Sequence, residues 1–431
     1  MVNDIVLFIY KMILAFLPLV GVIILGRIAW ILWLHYIQQD FISGIDFILL
    51  EIVPPREVLR SPKAMELFLT NALYHWSMKG GKEEYWQGAV WFWFSLELVS
   101  IDGQVHFYIR TPTRIRGLIE TQIYAQYPQA QVKVVEDYTL EVDEITPQSS
   151  WNGWGCEFEL AKPEAYPIKT YVDFGLDKDP KEEYKVDPIS PVIELFGSLQ
   201  KGEQMWMQIV ITPAKKMYKI PGTWFGKRDW IDQAKNEQLK LLKPYTSAKE
   251  GIDLSYSKRL EIRVPDTLKK TMEGMLSKVA KIGFETGIRV MYVAKKEVFD
   301  MSSRRNLRLV FRQYARPDCN QLERKNSTQA DAYGGVFTAS SETVMMLAER
   351  MLHEYRERGF FHLPLRHHLF NEHTVPWPFS GIFKVYFHPK TSILNTEELA
   401  TLWHFPGQIL KVPTLERIES KEASPPSNLP I

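Results

Sequence analysis

The sequence predicts an α+β protein: an amino-terminal transmembrane helix, then two βαββαβ sandwich domains in series, the second with insertions. Three observations predict it. Residues 5–34 are almost entirely apolar. Residues 45–138 read as two strand–helix–strand units joined by a tight hairpin. Residues 156–212 then start the same strand–helix–strand theme again.

The apolar run comes first. Only Lys11 and Arg27 interrupt it. A helix needs about 20 apolar residues to cross roughly 30 Å of hydrocarbon. Residues 12–34 meet that length if Arg27 snorkels from near one end. Trp30, Trp33 and Tyr36 fall where an interfacial aromatic belt would lie. No small-residue cleavage site follows, and the run exceeds the apolar core of a signal peptide. Residues 1–40 are therefore expected to form an uncleaved, single-pass anchor in the cell membrane, contacting lipid through residues 5–34. The two cysteines, Cys156 and Cys319, are far apart and in no metal-like spacing, which suits free thiols in a reducing compartment and a cytoplasmic body.

Residues 41–140 carry the first sandwich. IDFILLEIV (45–53) is a strand-length apolar run ending at Pro54 and Pro55. Ser61 is placed to cap a helix, with Pro62 at its first position, where a missing N–H costs nothing. Met65, Phe68, Leu69, Ala72, Leu73 and Trp76 then share one helical stripe, and KGGK (79–82) ends it. VWFWFSLELV (90–99) and QVHFYIR (104–110) flank Asp102-Gly103, a hairpin signal because both turn residues need positive φ. On the second arm Val105, Phe107 and Ile109 alternate with His106, Tyr108 and Arg110. A second helix turns Ile115, Leu118, Ile119 and Ile123 inward, and AQVKVV (130–135) closes the unit. The order βαββαβ is the ferredoxin-like sandwich. It leaves one sheet face open to a partner, but such a fold names no function by itself.

Residues 141–155 read as a linker, and 151–410 as the second domain. Strands are expected at 156–161, 168–174 and 204–212, with a helix at 191–199. A basic, aromatic insert at 214–243 combines a loop with a helix over 229–242. Further on, 260–264, 287–293 and 381–387 have strand character, and 306–314 is either a strand or a helix start. Asp266 opens a helix whose Leu268, Met272, Met275, Leu276 and Val279 point inward. A helix over 342–358 buries Val344, Met345, Leu347, Ala348, Met351 and Leu352. Asn395 and Glu398 are spaced as a capping box for a short helix to residue 403. Residues 411–431, rich in Ser, Pro and charge, are expected to be a flexible tail.

Composition limits the function. With 431 residues, 45% hydrophobic and 24% charged, and a net charge of +1, the chain lacks a chain-wide basic surface for duplex nucleic acid. The nearest approach to a phosphate loop is GTWFGKR (222–228). It is one residue short between glycines, puts Arg228 where a hydroxyl must ligate metal, and is blocked by Trp224 and Phe225. His362, His367, His368 and His373 cluster near Glu372, but their spacing fits no metal pattern, and Pro364 and Pro376 break any helix that would gather them. No G-x-S-x-G elbow is present. No catalytic, cofactor or metal residue is assigned, so the expectation is a non-enzymatic protein without a cofactor. In the insert, Trp224, Lys227, Arg228, Trp230 and Lys235 could track and stack single-stranded nucleic acid. A solvated helix face with aromatic anchors explains the same residues and is favoured.

Two passages carry a resemblance: EIVPPREVLRSPKAME (51–66), with the later SLELVSIDGQVHFYIRTP and IETQIYAQYP, and LNTEELATLWHFPGQILKVPTLERIESKEASPPSNLP (394–430). Together they resemble the amino-terminal, non-motor region of membrane-associated ATPases of conjugation and type IV secretion. In that family a RecA-like motor follows the second passage, whereas this chain stops at Pro430-Ile431 and shows no Walker motif. The family's ATPase activity does not carry over. What the resemblance implies is a membrane-anchored component of a DNA- or protein-transfer machine that docks a separate RecA-like ATPase. Asn395, Glu398, His404, Phe405 and Pro406 match the family's junction segment. A membrane-tethered nucleic-acid-binding module is the alternative, and an oligomer is left open.

Overall fold

The computed structural model describes residues 2–55, 58, 60–74, 80–177, 186–215, 218–219, 227–246, 265–328, 341–362, 365 and 390–407. It divides into two compact units: Met1–Asp46, Trp76–Trp91 and Phe361–His388 in one, and Phe47–His75, Phe92–Phe360 and Pro389–Ile431 in the other. The expected strands at 260–264 and 381–387, the phosphate-loop-like glycines, His367, His368, His373 and the tail lie outside the described residues.

In the first unit, α1 (Val2–Ser43) is one helix of 42 residues with Pro18 inside it. Its stretch Phe16–Ser43, with a mean hydropathy of 2.1, is long and apolar enough to cross a membrane.

The second unit begins with β1 (Phe47–Val53) and α2 (Lys63–Phe68), which continues as a π-helical turn over Leu69–Leu73. Met65, Phe68, Leu69, Ala72 and Leu73 are all buried, as their spacing requires. Pro62, not Ser61, takes the cap position, and no side chain caps the helix. The glycines expected to end this helix instead start α3 (Gly81–Trp86), which belongs with α1 in the first unit.

Next come β2 (Phe94–Ile101) and β3 (Gln104–Pro112). Asp102 and Gly103 join them with φ of 54° and 83°, the left-handed pair a tight hairpin needs. α4 (Arg116–Gln126) and β4 (Gln131–Val135) follow. A 3-10 turn at Tyr138–Glu141 leads into the supposed linker, which holds the start of β5 (Trp151–Leu160).

Residues 168–174 are irregular and turn rather than a strand. Ile168 and Tyr171 are buried, and side chains elsewhere satisfy their backbone: Ile168 N donates to Glu398 Oε1 at 3.0 Å and Tyr171 N to Thr401 Oγ1 at 2.8 Å. With its donors used this way, the segment cannot join a ladder.

α5 (Ser190–Gly197) and β6 (Glu203–Pro213) come next, then the two-residue strands β7 (Tyr218–Lys219) and β8 (Lys227–Arg228). After them the chain forms α6 (Trp230–Thr246), α7 (Asp266–Val279) and β9 (Gly283–Lys295). α7 buries Thr271, Met275 and Lys278, whereas Leu276 is exposed. Residues 301–314 are helical, as α8 (Met301–Leu307) and a 3-10 turn at Arg312–Tyr314. β10 (Leu322–Lys325), α9 (Ser341–Glu357), β11 (Ser392–Asn395) and α10 (Thr396–Leu402) complete the order.

One antiparallel sheet runs through this unit in the order β10-β5-β9-β6-β2-β3-β1-β4, with β11 also paired to β9. The two expected sandwiches are continuous at β2 and β6, which pair from Phe94↔Ile211 to Ile101↔Gln204. Both strands are buried along nearly their whole length. Left as separate edges they would expose a row of unpaired donors and acceptors, and pairing them removes both edges at once.

The sheet faces differ in chemistry. One presents Leu50, Leu96, Leu98, Phe107, Met207, Val290 and Phe158 to a single apolar core, which α2, α4, α5 and α10 also enter. The other face is mixed and lies partly under α9, whose Ala348, Leu352 and Tyr355 pack with Val99, Trp206 and Met291. Helix and sheet come close there because Gly155 lacks a side chain: a Cβ would stand 2.7 Å from Met351 Cγ.

Candidate functional site

On the α9 face, strand register lines up one polar residue from each strand. Lys133, Glu51, Tyr108, Glu97, Gln208, Arg289, Glu157 and Lys325 follow one another from β4 to β10 as cross-strand neighbours. From Glu51 to Glu157 the row crosses a largely buried surface and forms a polar seam through it, with the half-exposed Lys325 at one end.

At its centre Glu97, fully buried, accepts from Ser95 Oγ at 2.6 Å, Tyr138 OH at 2.8 Å and Gln208 Nε2 at 3.3 Å. Arg358 grips it from the end of α9, with Nε 3.0 Å from Oε1 and Nη2 3.2 Å from Oε2. The same guanidinium reaches Asp137 at 2.5 and 3.2 Å. Burial alone would raise the Asp137 carboxyl, but Arg358 and the Thr139 donors hold it below its ordinary value. Tyr138 and Tyr355, whose hydroxyls lie 2.9 Å apart, are pushed well above the ordinary phenol value by burial and by Glu97, so both remain donors. Burial, then the neighbouring Arg358, lower Arg110 to about 10.

A second ionic group continues the seam. Arg289 donates to Glu157 Oε1 through Nε at 3.1 Å and Nη2 at 2.5 Å, and through Nη1 to the Glu354 carbonyl at 2.6 Å. Its guanidinium lies over the Phe360 ring, 4.4 Å from the centroid. A Cβ at Gly287 would collide with that ring.

Toward β1 the seam is less enclosed. His106 Nδ1 is 2.7 Å from Glu51 Oε1, and the two side chains are 15% and 12% exposed. The hydrogen bond from His106 lowers the Glu51 carboxyl against the opposing effect of burial. His106 stacks on Tyr108, and Tyr108 on Tyr138 at 5.2 Å. Chemically the seam positions and neutralises charge, with donors already turned to acceptors. It clamps the carboxyl end of α9 to the sheet.

The predicted junction residues are placed inward. Asn395 accepts from Glu398 N at 2.8 Å and Glu398 accepts from Asn395 N at 2.9 Å, a complete capping box for α10. Glu398 also meets Lys278 Nζ at 3.1 Å, with both side chains fully enclosed. His404 Nε2 lies 2.9 Å from Asp187 Oδ1. Burial raises the Asp187 carboxyl, but His404 and the N–H groups of Gly407 and Ile189 bring it below its usual value. Phe405 packs edge-on against Phe107 at 5.2 Å and Tyr127 at 4.8 Å, and Pro406 is buried beside it. These five residues thus cluster on the apolar side of the sheet.

The basic insert is not gathered in the same way. Trp224 lies outside the described residues, and Lys227 and Arg228 are described only as the backbone of β8 paired with β7. Trp230 is buried, its ring 3.0 Å from where a Cβ on Gly283 would sit, so it is not an open surface for a stacking base. Lys235 is exposed and pairs with Asp232 at 3.0 Å. Among the described residues, no three His, Cys, Asp or Glu side chains are grouped to hold a metal ion.

Sequence reasoning did not single out Glu97, Gln208, Arg289, Glu157 or Arg358. The available signal was a polar residue inside an apolar run, as Glu97 in FSLELVSI, but the line appears only once register is known.

A family model described as a domain of unknown function (DUF8128) matches residues 92–411. No curated protein matches the chain. The matched region takes in every strand from β2 to β11 and every helix from α4 to α10. Since the match spans most of its length, the chain belongs to the DUF8128 family.

Proposed function

We propose that this protein is a membrane-anchored, non-enzymatic docking component of a transfer machine of the type IV secretion or conjugation kind, serving a separate RecA-like ATPase. The observation that carries the anchored half is α1, whose stretch Phe16–Ser43 is apolar enough to span a bilayer and has none of its apolar window buried. A helix of that composition without a protein covering is stable in hydrocarbon, where its backbone bonds are satisfied internally. The docking half and the partner class both rest on the resemblance of residues 394–430. In this reading the body is cytoplasmic, and the sheet is two ferredoxin-like halves fused at β2 and β6. Asn395, Glu398, His404, Phe405 and Pro406 root the junction segment in the body, and the residues after Gly407 reach the ATPase.

The test is affinity purification of the full chain from detergent extracts of its native membrane. A RecA-like ATPase should co-purify stoichiometrically, and removing residues 412–431 should reduce its recovery at least tenfold, equivalent to about 1.4 kcal/mol. Recovery of no such ATPase, or recovery unaffected by the truncation, defeats the docking role.

A further inference from the structure

The anchor reading uses α1 alone and leaves α3 without a purpose. α3 buries none of its residues, yet it is held firmly against α1 within the first unit. Gly88, just beyond it, has a φ of +65°, and a Cβ there would run into the carbonyl of Ile37 and the nitrogen of Gln38. Two backbones can approach that closely only at glycine. Trp33 Nε1 also donates to the Tyr85 carbonyl at 3.3 Å.

This contact assembles four aromatic rings. Trp30 meets Tyr85 with centroids 5.9 Å apart, and Trp33 meets Trp86 at 6.2 Å. All four remain exposed, at 49% for Trp30, 41% for Trp33, 40% for Tyr85 and 67% for Trp86. A soluble surface gains nothing from presenting such a group to water, whereas the headgroup boundary of a bilayer favours amphipathic rings.

The position along α1 fits that boundary. At roughly 1.5 Å per residue, the helix rises about 28–33 Å from Lys11 to Trp30 and Trp33. This matches the roughly 30 Å of hydrocarbon, with a cation at one end and the aromatic group at the other. The remainder of α1, HYIQQDFIS (35–43), is polar enough to stand clear of lipid.

We infer that α3 is a second, peripheral membrane contact: Tyr85 and Trp86 lie in the headgroup–acyl boundary beside Trp30 and Trp33, forming a collar that sets how deeply α1 sits. The occupant is the lipid interface itself. α3 carries Lys82 against Glu83 and Glu84, so it offers no basic face for anionic headgroups, and zwitterionic lipid is sufficient. The inference rests on α1 being a membrane anchor.

The experiment uses the full chain reconstituted into phosphatidylcholine vesicles, with an environment-sensitive thiol label at Trp86→Cys and, as control on the opposite helix face, at Glu84→Cys. Both native thiols are buried and do not compete for the label. On reconstitution the label at 86 should shift to the blue and lose most of its quenching by aqueous iodide, while the label at 84 keeps it. Adding Gly88→Ala to the Trp86→Cys chain should restore iodide quenching, with the protein still resisting alkaline carbonate extraction. Equal iodide quenching at 86 and 84 in carbonate-resistant vesicles overturns the collar and leaves the anchor standing. Release of the unsubstituted chain by carbonate overturns the anchor, and the collar with it.

Discussion

Arg358 stands at φ 52° immediately after α9, a conformation in which a side chain is strained and glycine is usual. The helix ends there in a Schellman pattern, with Gly359 N bonded to Glu354 O at 3.4 Å and Arg358 N to Tyr355 O at 3.1 Å. The αL turn aims the guanidinium back at Glu97 and Asp137, so the ion pairs hold the strained backbone and the backbone positions the ion pairs. Arg358→Met should therefore destabilise the body by about 3–5 kcal/mol, because it strands two carboxylates in a desolvated site. Arg358→Lys should rescue little of this, since a point charge cannot reproduce a planar fork. Urea denaturation measures both, and a loss under about 1 kcal/mol for the Met variant would mean that water or rearrangement replaces the guanidinium. None of this was legible beforehand. Arg358 reads in sequence as the last residue of an amphipathic helix, and its partners lie far away in the chain.

The carboxy-terminal elements show where local spacing suffices. Asn395 and Glu398 form their capping box as the sequence spacing requires, because both donors and acceptors lie within one turn. Asn395→Ala should cost toward the upper part of the usual range of about 0.5–2 kcal/mol, since Asn395 Nδ2 also donates to the Lys278 carbonyl at 3.3 Å. Lys278→Met should cost about 3–5 kcal/mol by leaving Glu398 buried without its cation, and pairing it with Glu398→Leu should recover most of that loss. Thermal unfolding of the single and double variants checks the coupling. Packing between α9 and the sheet is a matter of clearance: Gly155→Val should cost about 1–3 kcal/mol by displacing Met351. Here sequence reasoning placed the helix correctly and mistook its landing strip, treating residues 141–155 as a linker. Glycines at 153 and 155 look like linker residues until the helix that needs them is in view.

Across the whole folded body, one sheet and one apolar core join the two expected domains. The second unit should therefore unfold in a single cooperative transition, with near- and far-ultraviolet circular dichroism coinciding. Two resolved transitions would mean that the β2–β6 seam opens independently. Acid should weaken the fold. Glu51, Asp137 and Asp187 have carboxyl values lowered by His106, Arg358 and His404, each against the effect of burial. Their contribution is complete above the unfolded values near about 4 and is lost as pH falls through the lowered folded values. Glu164 and Glu354, raised by burial, act in the opposite sense. Asp137→Asn should lower stability at neutral pH and flatten its decline in acid, as denaturation midpoints against pH will show.

Composition and local spacing determined the long apolar amino-terminal helix, the Asp102-Gly103 hairpin, the amphipathic helices and the α10 cap. Each depends on forces acting within a turn, a strand or a bilayer's thickness. Only the tertiary structure decided that β2 and β6 fuse the two halves and that the polar residues form one seam. It also decided that Ile168 and Tyr171 spend their backbone donors on α10 rather than on a ladder. Those outcomes depend on register and on edge satisfaction between segments remote in sequence, which periodicity along a single chain does not encode.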